Sequence, residues 1–427
     1  MSASPHLERG DLLPKLVSSP PGPRSLELAR DLDRFEAPGI NTLHRGRTRM
    51  VLAEASGSNL LDVDGNRYVD LTAGFGVASV GHRHPEVVAA ISRQAESLLH
   101  GLGDVHAHPQ RVAAARALCA RAPFETAQVY WAISGADAIE IALKTALLAT
   151  GSHALVAFDP GYHGLTLGAL RATSRPSFRQ PFDAPVERHT VRFDFGGPLG
   201  PLACRFGSAP TVGACVVEPI VGREGILLPP AGWLAELAEL CRRHQVPLIV
   251  DEVFTGLGRT GVWWACAAES VVPDLLCCGK ALAGGLPIAA VLARPELFEV
   301  WRSPGEARHT ATFVAHPLAC AAVPVVLSIL DRERLVERAA ALGERLGEAL
   351  RGVAGARTVR GRGLAWAVVG RDREQATRWS AALLDRGFLA LAGGPAGDVL
   401  QLTPPLTIAE AQLDAAIEAL AAVLAEH

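Results

Sequence analysis

Only Lys15, Lys144 and Lys280 are lysines among the 41 basic residues of this 427-residue chain. Arginine carries the ordinary surface charge. Arginine cannot form a Schiff base, so a lysine kept in apolar company is a candidate for covalent amine chemistry. The eight cysteines include no Cys-x-x-Cys pair, and only Cys277 and Cys278 are neighbours. That leaves no zinc or dithiol spacing and suits buried thiols in a reducing compartment. Neither charge sign is in marked excess, the formal net being −3, which removes the electrostatic case for nucleic acid or an anionic membrane. The longest apolar window, Pro317 to Leu330, is interrupted by proline and too short to span a bilayer. The opening residues MSASPHLERGDLLPK lack an apolar signal core. A soluble, cytoplasmic protein is expected. At 49% hydrophobic residues, a chain of this length can bury a sizeable core, divided between two or three domains.

What is present gathers between Val246 and Pro287. VPLIV is a β-branched run suited to a buried parallel strand. It ends in Asp251 and Glu252, where open α/β sheets bind their ligands. Lys280 follows, flanked by Cys277, Cys278 and Gly279 and then by Ala281, Leu282 and Ala283. Burial in such surroundings lowers the pKa of a lysine and frees its amine. The alternative is a helix-end lysine whose stem snorkels to water. An acid at a strand end together with a lysine amine is what pyridoxal 5′-phosphate requires. The lysine holds the aldehyde as an imine, and the carboxylate keeps the ring nitrogen protonated.

Two other motifs fail their own tests. Gly256 to Gly261 matches GxGxxG after a strand, but the strand ends in Asp-Glu before the glycines, and the nearest acid beyond them that ends an apolar run, Asp274, is 13 positions on, where a dinucleotide site wants one at about 20. Gly279-Lys280 lacks both the earlier glycine and the following Ser or Thr of a P-loop. His82 and His84 have no third ligand spaced to join them, so no metal is expected.

Strands and helices alternate through the middle of the chain, which predicts an α/β fold. A helix is expected over 25–35, then an antiparallel unit over 49–71 with Asp64-Gly65 at its turn. Helices are expected over 85–101 and 109–122. In VYWAISGADAIEIALKTALLATG a strand meets Ser134, Gly135 and Ala136, and a helix begins at once. Backbone amides at such a helix start make a cup for an anion, although Ser134 also suits an ordinary cap. Lys144 lies in that helix and reads as exposed or salt-bridged. Residues 173–207 are rich in Arg, Pro and Phe without period and read as a long excursion over the surface of the body.

EPIVGREG, DEVFTGLGRTG, PDLLCCGKALAGGLP and TATFVAHPLA resemble, in order, the motifs of the class III (ω-amino acid type) aminotransferases, which belong to fold type I of the pyridoxal phosphate enzymes. The resemblance runs from about Leu61 to Leu406. It implies a large domain with a mainly parallel seven-stranded sheet plus a smaller α+β domain. Residues 1–85 would be an N-terminal arm and the first part of the small domain, 86–318 the large cofactor domain, and 319–427 the rest of the small domain. It implies a homodimer with shared active sites and a ping-pong transfer of an amino group between an amine or amino acid and a 2-oxo acid or aldehyde.

The resemblance also assigns roles. Lys280 forms the imine and then shuttles the proton, while Asp251 pairs with the ring nitrogen. Ser134, Gly135 and Ala136 hold the phosphate, Tyr162 stacks on the ring, and His163 orients the site. Glu218 is a structural or substrate-side acid, and Thr312 reaches the partner's phosphate. A racemase or epimerase on the same scaffold is the alternative activity, and a non-catalytic binding protein the third.

Four positions depart from well-known members. Phe254 stands in place of a glutamine near the ring hydroxyl, and Leu165 in place of an arginine that clamps the α-carboxylate. Arg223 and Gln401 replace a paired glutamate and arginine. We therefore expect glutamate not to be handled in the manner of γ-aminobutyrate or acetylornithine transaminases, with Arg223 supplying a relocated carboxylate contact, unless Arg47 or Arg49 fills that role.

Overall fold

A computed structural model describes residues 7–40, 49–182 and 189–426. Three sheets organise them. The first holds β1 (Leu52–Ser56), β2 (Asn59–Asp62) and β3 (Arg67–Asp70), paired antiparallel. Its turn forms where expected: the Asp62 carboxylate accepts the amides of Asp64 and Asn66 at 2.9 and 2.8 Å.

The second sheet is the core of the molecule. Its strands are β4 (Gln128–Ala132), β5 (Ala154–Asp159), β6 (Thr190–Asp194), β7 (Val212–Val217), β8 (Leu248–Asp251), β9 (Leu275–Cys278) and β10 (Ala289–Ala293). They run in the order β4-β10-β9-β8-β7-β5-β6. β10 alone runs against the other six strands, so the sheet is seven-stranded and mainly parallel. Every residue of β7, β8, β9 and β10 is buried, as continuous apolar runs covered on both faces require. The helix Gly135–Thr150 packs on β4, β7, β9 and β10. The helix Pro317–Arg332 packs on Pro85–Ser97 and Pro109–Cys119.

The third sheet, β11 (Val359–Arg362), β12 (Ala365–Val369), β14 (Leu391–Gly393) and β15 (Val399–Leu402), comes from the last part of the chain. The short strand β13 (Phe388–Leu389) leaves that region and pairs parallel with β3. The two ends of the chain thus share one sheet.

One expectation needs correction. The excursion over 173–207 contains β6, the edge strand of the core sheet, and the helix Gly200–Phe206; residues 183–188 of it lie outside the described residues. The histidine pair serves local structure: His82 Nε2 bonds Asp70 at 2.7 Å, and His84 accepts the Glu86 amide at the start of its helix. Among the described residues no helix is long and apolar enough to cross a membrane.

Candidate active site

The carboxyl ends of β5, β7, β8 and β9 face one cavity of about 560 Å³. Asp251 is the last residue of β8, and Lys280 follows β9 by two positions. Tyr162 and His163 follow β5, and Glu218 follows β7. All five line the cavity. Of the three lysines only Lys280 does so. The Lys144 ammonium meets His309 Nδ1 at 2.8 Å, and Lys15 pairs through its backbone with Arg67.

Lys280 opens a single turn of 3₁₀ helix, Lys280–Ala283, and is held at a φ of +43°. A β-carbon at such a φ is strained and persists only where its surroundings enforce it. Ala281, Leu282 and Ala283 are buried behind it. Burial lowers the Lys280 amine below its ordinary value; the negative charges of Asp251 and Glu218 pull it back up, while Arg223 adds to the lowering.

Asp251 is aimed by an imidazole. Its Oδ2 meets His163 Nδ1 at 2.8 Å and its Oδ1 accepts the Val253 amide at 3.0 Å. Burial opposes a charged ring at His163, but the hydrogen bond and charge of Asp251 outweigh it and raise the imidazole above its ordinary value. Glu252 turns away from the cavity, its carboxylate accepting the Cys266 amide at 2.8 Å and the Thr255 hydroxyl at 2.5 Å. Glu218 accepts the amides of Tyr162 and Gly222, both at 2.9 Å, and burial pushes it up to about 7.

The strand-to-helix junction after β4 is formed where expected. Ser134 is the cap of Gly135–Thr150, accepting the Asp137 amide at 3.2 Å, and Gly135 and Ala136 line the cavity. Amides in a first helical turn have no acceptor within the helix. Gly164, at φ +123°, lies so near that a Cβ there would come within 2.5 Å of the Ala136 Cβ. Only a glycine fits.

Tyr162 and Arg223 form a stack that the sequence did not foretell. The Arg223 guanidinium lies 4.4 Å from the Tyr162 ring centre and 5.6 Å from that of Phe178. Phe178 falls in the aperiodic stretch, where no pattern marked it. Phe254 packs between Gly76 and Gly222 with its ring centre 5.1 Å from Lys280 Nζ.

Leu165 lines the cavity, exposed. Gln401, on β15, stands behind the wall and donates to the carbonyls of Gly222 and Arg223 at 3.1 and 3.3 Å. Thr312 lies away from the cavity, exposed, its carbonyl bonded to His100 Nε2 at 2.8 Å. Arg49 is taken by Asp33 and Glu36, and Arg47 lies outside the described residues. By residue type this cavity fits a phosphorylated pyridine aldehyde: an amine of lowered basicity, a carboxylate braced by imidazole, and open amides at a helix start.

A family model described as aminotransferase class-III matches residues 42–424. The chain is 41% identical over 405 residues to the acetylornithine aminotransferase of Methanopyrus kandleri, covering 93% of this chain and 98% of that protein. It is 40% identical to the enzyme of the same name from Corynebacterium efficiens, covering 89% and 94%. The ornithine aminotransferase of Toxoplasma gondii ME49 superimposes with a TM-score of 0.85 at 30% identity, covering 94% and 95% of the two chains. An amine transaminase from an uncultivated Pseudomonas species, solved in its PLP-bound form, gives 0.84 at 28% identity, covering 92% and 98%. The racemase alternative finds no support in these matches.

Proposed function

The chain belongs to the class III aminotransferases, and on that premise we propose how its own residues carry out the transfer. The reaction moves an amino group between an amine or amino acid and a 2-oxo acid or aldehyde in two half-reactions, with pyridoxal 5′-phosphate as cofactor. When bound, the cofactor supplies the aldehyde that takes up the amino group and a ring that accepts the electron pair left at the substrate carbon.

Lys280 would hold the cofactor covalently and, once released, would move the proton at its Nζ; its lowered basicity leaves the amine free to accept one. Asp251, fixed by His163, would hold the proton of the ring nitrogen. Gly135 and Ala136, with Ser134 as cap, would take the phosphate. Tyr162 forms the side wall with Leu165, and Glu218 ties the Tyr162 turn to the Gly222 turn. Gln401 supports Arg223 from behind.

We assign residues 1–85 and 319–427 to a small domain and 86–318 to the cofactor domain, because β13 joins β3 in one sheet. Thr312 is assigned to the partner's site in a homodimer, since it is exposed and stands off its own cavity. The eight free cysteines, six of them buried, suit the cytoplasm.

One observation carries this reading: the only lysine in the cavity is also the one whose burial lowers its basicity. Borohydride reduction of the holoenzyme followed by peptide mapping should place the pyridoxyl label on Lys280. Lys280→Ala should lose turnover yet still take up the cofactor reversibly. A label on Lys144 or Lys15 would overturn the assignment.

A further inference from the structure

Phe178 separates two guanidinium groups that differ in one respect. Arg175 lies 5.5 Å from its ring centre and Arg223 lies 5.6 Å from it. Arg175 has its counter-ion: its Nε bonds the buried Glu224 carboxylate at 2.8 Å, and its Nη2 donates to the Gly394 carbonyl at 2.7 Å. Arg223 has no such bond. Among the described residues its guanidinium makes no hydrogen bond or close ion pair, and Glu224 acts on it only through charge. Its near contacts are the two aromatic rings, and it lines the cavity that holds Lys280. A ring face fixes the plane of a guanidinium but leaves its N–H fork unused.

The backbone that carries Arg223 is braced on three sides. Val221 and Leu227 exchange hydrogen bonds at 2.9 Å and close a tight hairpin around it. Gln401 Nε2 donates to the carbonyls of Gly222 and Arg223, and the Gly394 amide reaches the Arg223 carbonyl at 3.4 Å. Arg360 Nε holds the Gly225 carbonyl at 2.8 Å. An arginine secured at both ends, with an idle fork, loses little further freedom when a planar anion arrives.

We propose that Arg223, laid on Tyr162 and Phe178, is the carboxylate-recognising residue of this enzyme, and that its substrates are carboxylates with an apolar body. Gln401 acts as a positioning residue through the Arg223 carbonyl. Leu165 and Phe254, on the same cavity, receive the apolar part. Neither offers a hydrogen bond to a second carboxylate, which sets the expected substrate apart from a dicarboxylate such as glutamate. Arg223 also stands near enough for its charge to act on Lys280, so the bound carboxylate lies close to the reacting amine. The proposal rests on the aminotransferase reading above.

The test compares two donors that differ only in the carboxylate, leucine and 3-methylbutan-1-amine, with glutamate as a third. Loss of the visible absorbance of the cofactor in the holoenzyme reports the first half-reaction. The wild-type protein should favour leucine over the amine, and Arg223→Gln should lower that ratio by about 10- to 100-fold, the usual value of a charge-assisted fork. Arg223→Lys, which keeps the charge but not the fork, should fall between. Using the ratio cancels any effect of Arg223 on Lys280 itself, because both donors meet the same amine. A ratio near one in wild type, or one that Arg223→Gln leaves unchanged, overturns the proposal. Reaction with glutamate but not with leucine or the amine overturns it too, while the aminotransferase reading stands. Failure of all three, with alanine and ornithine failing as well, overturns the aminotransferase reading itself.

Discussion

Glu218 is buried beneath the turns after β5 and β7, and both of its oxygens are taken by the amides of Tyr162 and Gly222 at 2.9 Å. Those bonds favour the carboxylate, but burial disfavours it more strongly and holds the group near 7 instead of its ordinary 4.5. The sign of the consequence follows from the raised value. The folded chain keeps this proton where the unfolded chain has already released it. The contribution to stability is therefore fully present below about pH 4.5 and is lost as the pH rises through about 7. His163, also raised, acts in the same direction. Urea unfolding of the cofactor-free chain should show wild type losing on the order of 1–3 kcal/mol relative to Glu218→Gln across that window. A wild type that gains stability relative to Glu218→Gln as the pH rises, or shows no change relative to it, would contradict a protonated Glu218 in the fold.

At the scale of elements, neighbours in sequence are not neighbours in function. Successive side chains on a strand point to opposite faces, so Asp251 and Glu252 cannot both serve one cavity. The sequence placed two acids at the strand end, and the pairing with His163 decides between them. The strands of the core sheet were legible because β7 to β10 are continuous apolar runs. The edge strand β6 was not: TVRFD is partly exposed, short and set among Arg- and Pro-rich neighbours. Phe178 was invisible for the same reason. The Arg223 stack escaped because it joins the hairpin after β7 to that unpatterned stretch, a contact that no local period encodes.

The Phe254 wall is legible only in three dimensions and makes a sharp prediction. A Cβ on Gly222 would lie 2.4 Å from Phe254 Cδ1, and the opposite side of that ring is 3.6 Å from where a Cβ on Gly76 would stand. The ring has nowhere to retreat. Gly222→Ala should cost about 1–3 kcal/mol, the range for overpacking, and Phe254→Leu in the same chain should recover much of it. Denaturation midpoints of the two single variants and the double variant check this. Additive losses would show that the two residues do not meet.

At the scale of the whole molecule, Thr312 and its surroundings remain to be satisfied. Gly103 approaches the Thr312 carbonyl so closely that a Cβ there would come within 2.9 Å, which brings the segment after residue 100 beside 311–313. Leu99, Leu102, Val105 and Phe313 on these segments are each at least 60% exposed. Scattered apolar residues are ordinary on a surface, but several large ones on adjoining segments mark an interaction site. We propose a second copy of the chain as the occupant, which would also explain why Thr312 stands away from its own cavity. Such an interface would need to bury more than about 1,000 Å² to persist at micromolar concentration. Phe313→Arg places a charge at the centre of this patch without touching Lys280, Asp251 or the amide cup. Sedimentation should therefore show a dimer for wild type and a monomer for the variant, and the monomer should release its cofactor on dilution because the partner's Thr312 no longer reaches it. A Phe313→Arg monomer that keeps its cofactor and full turnover would mean that each chain completes its own site.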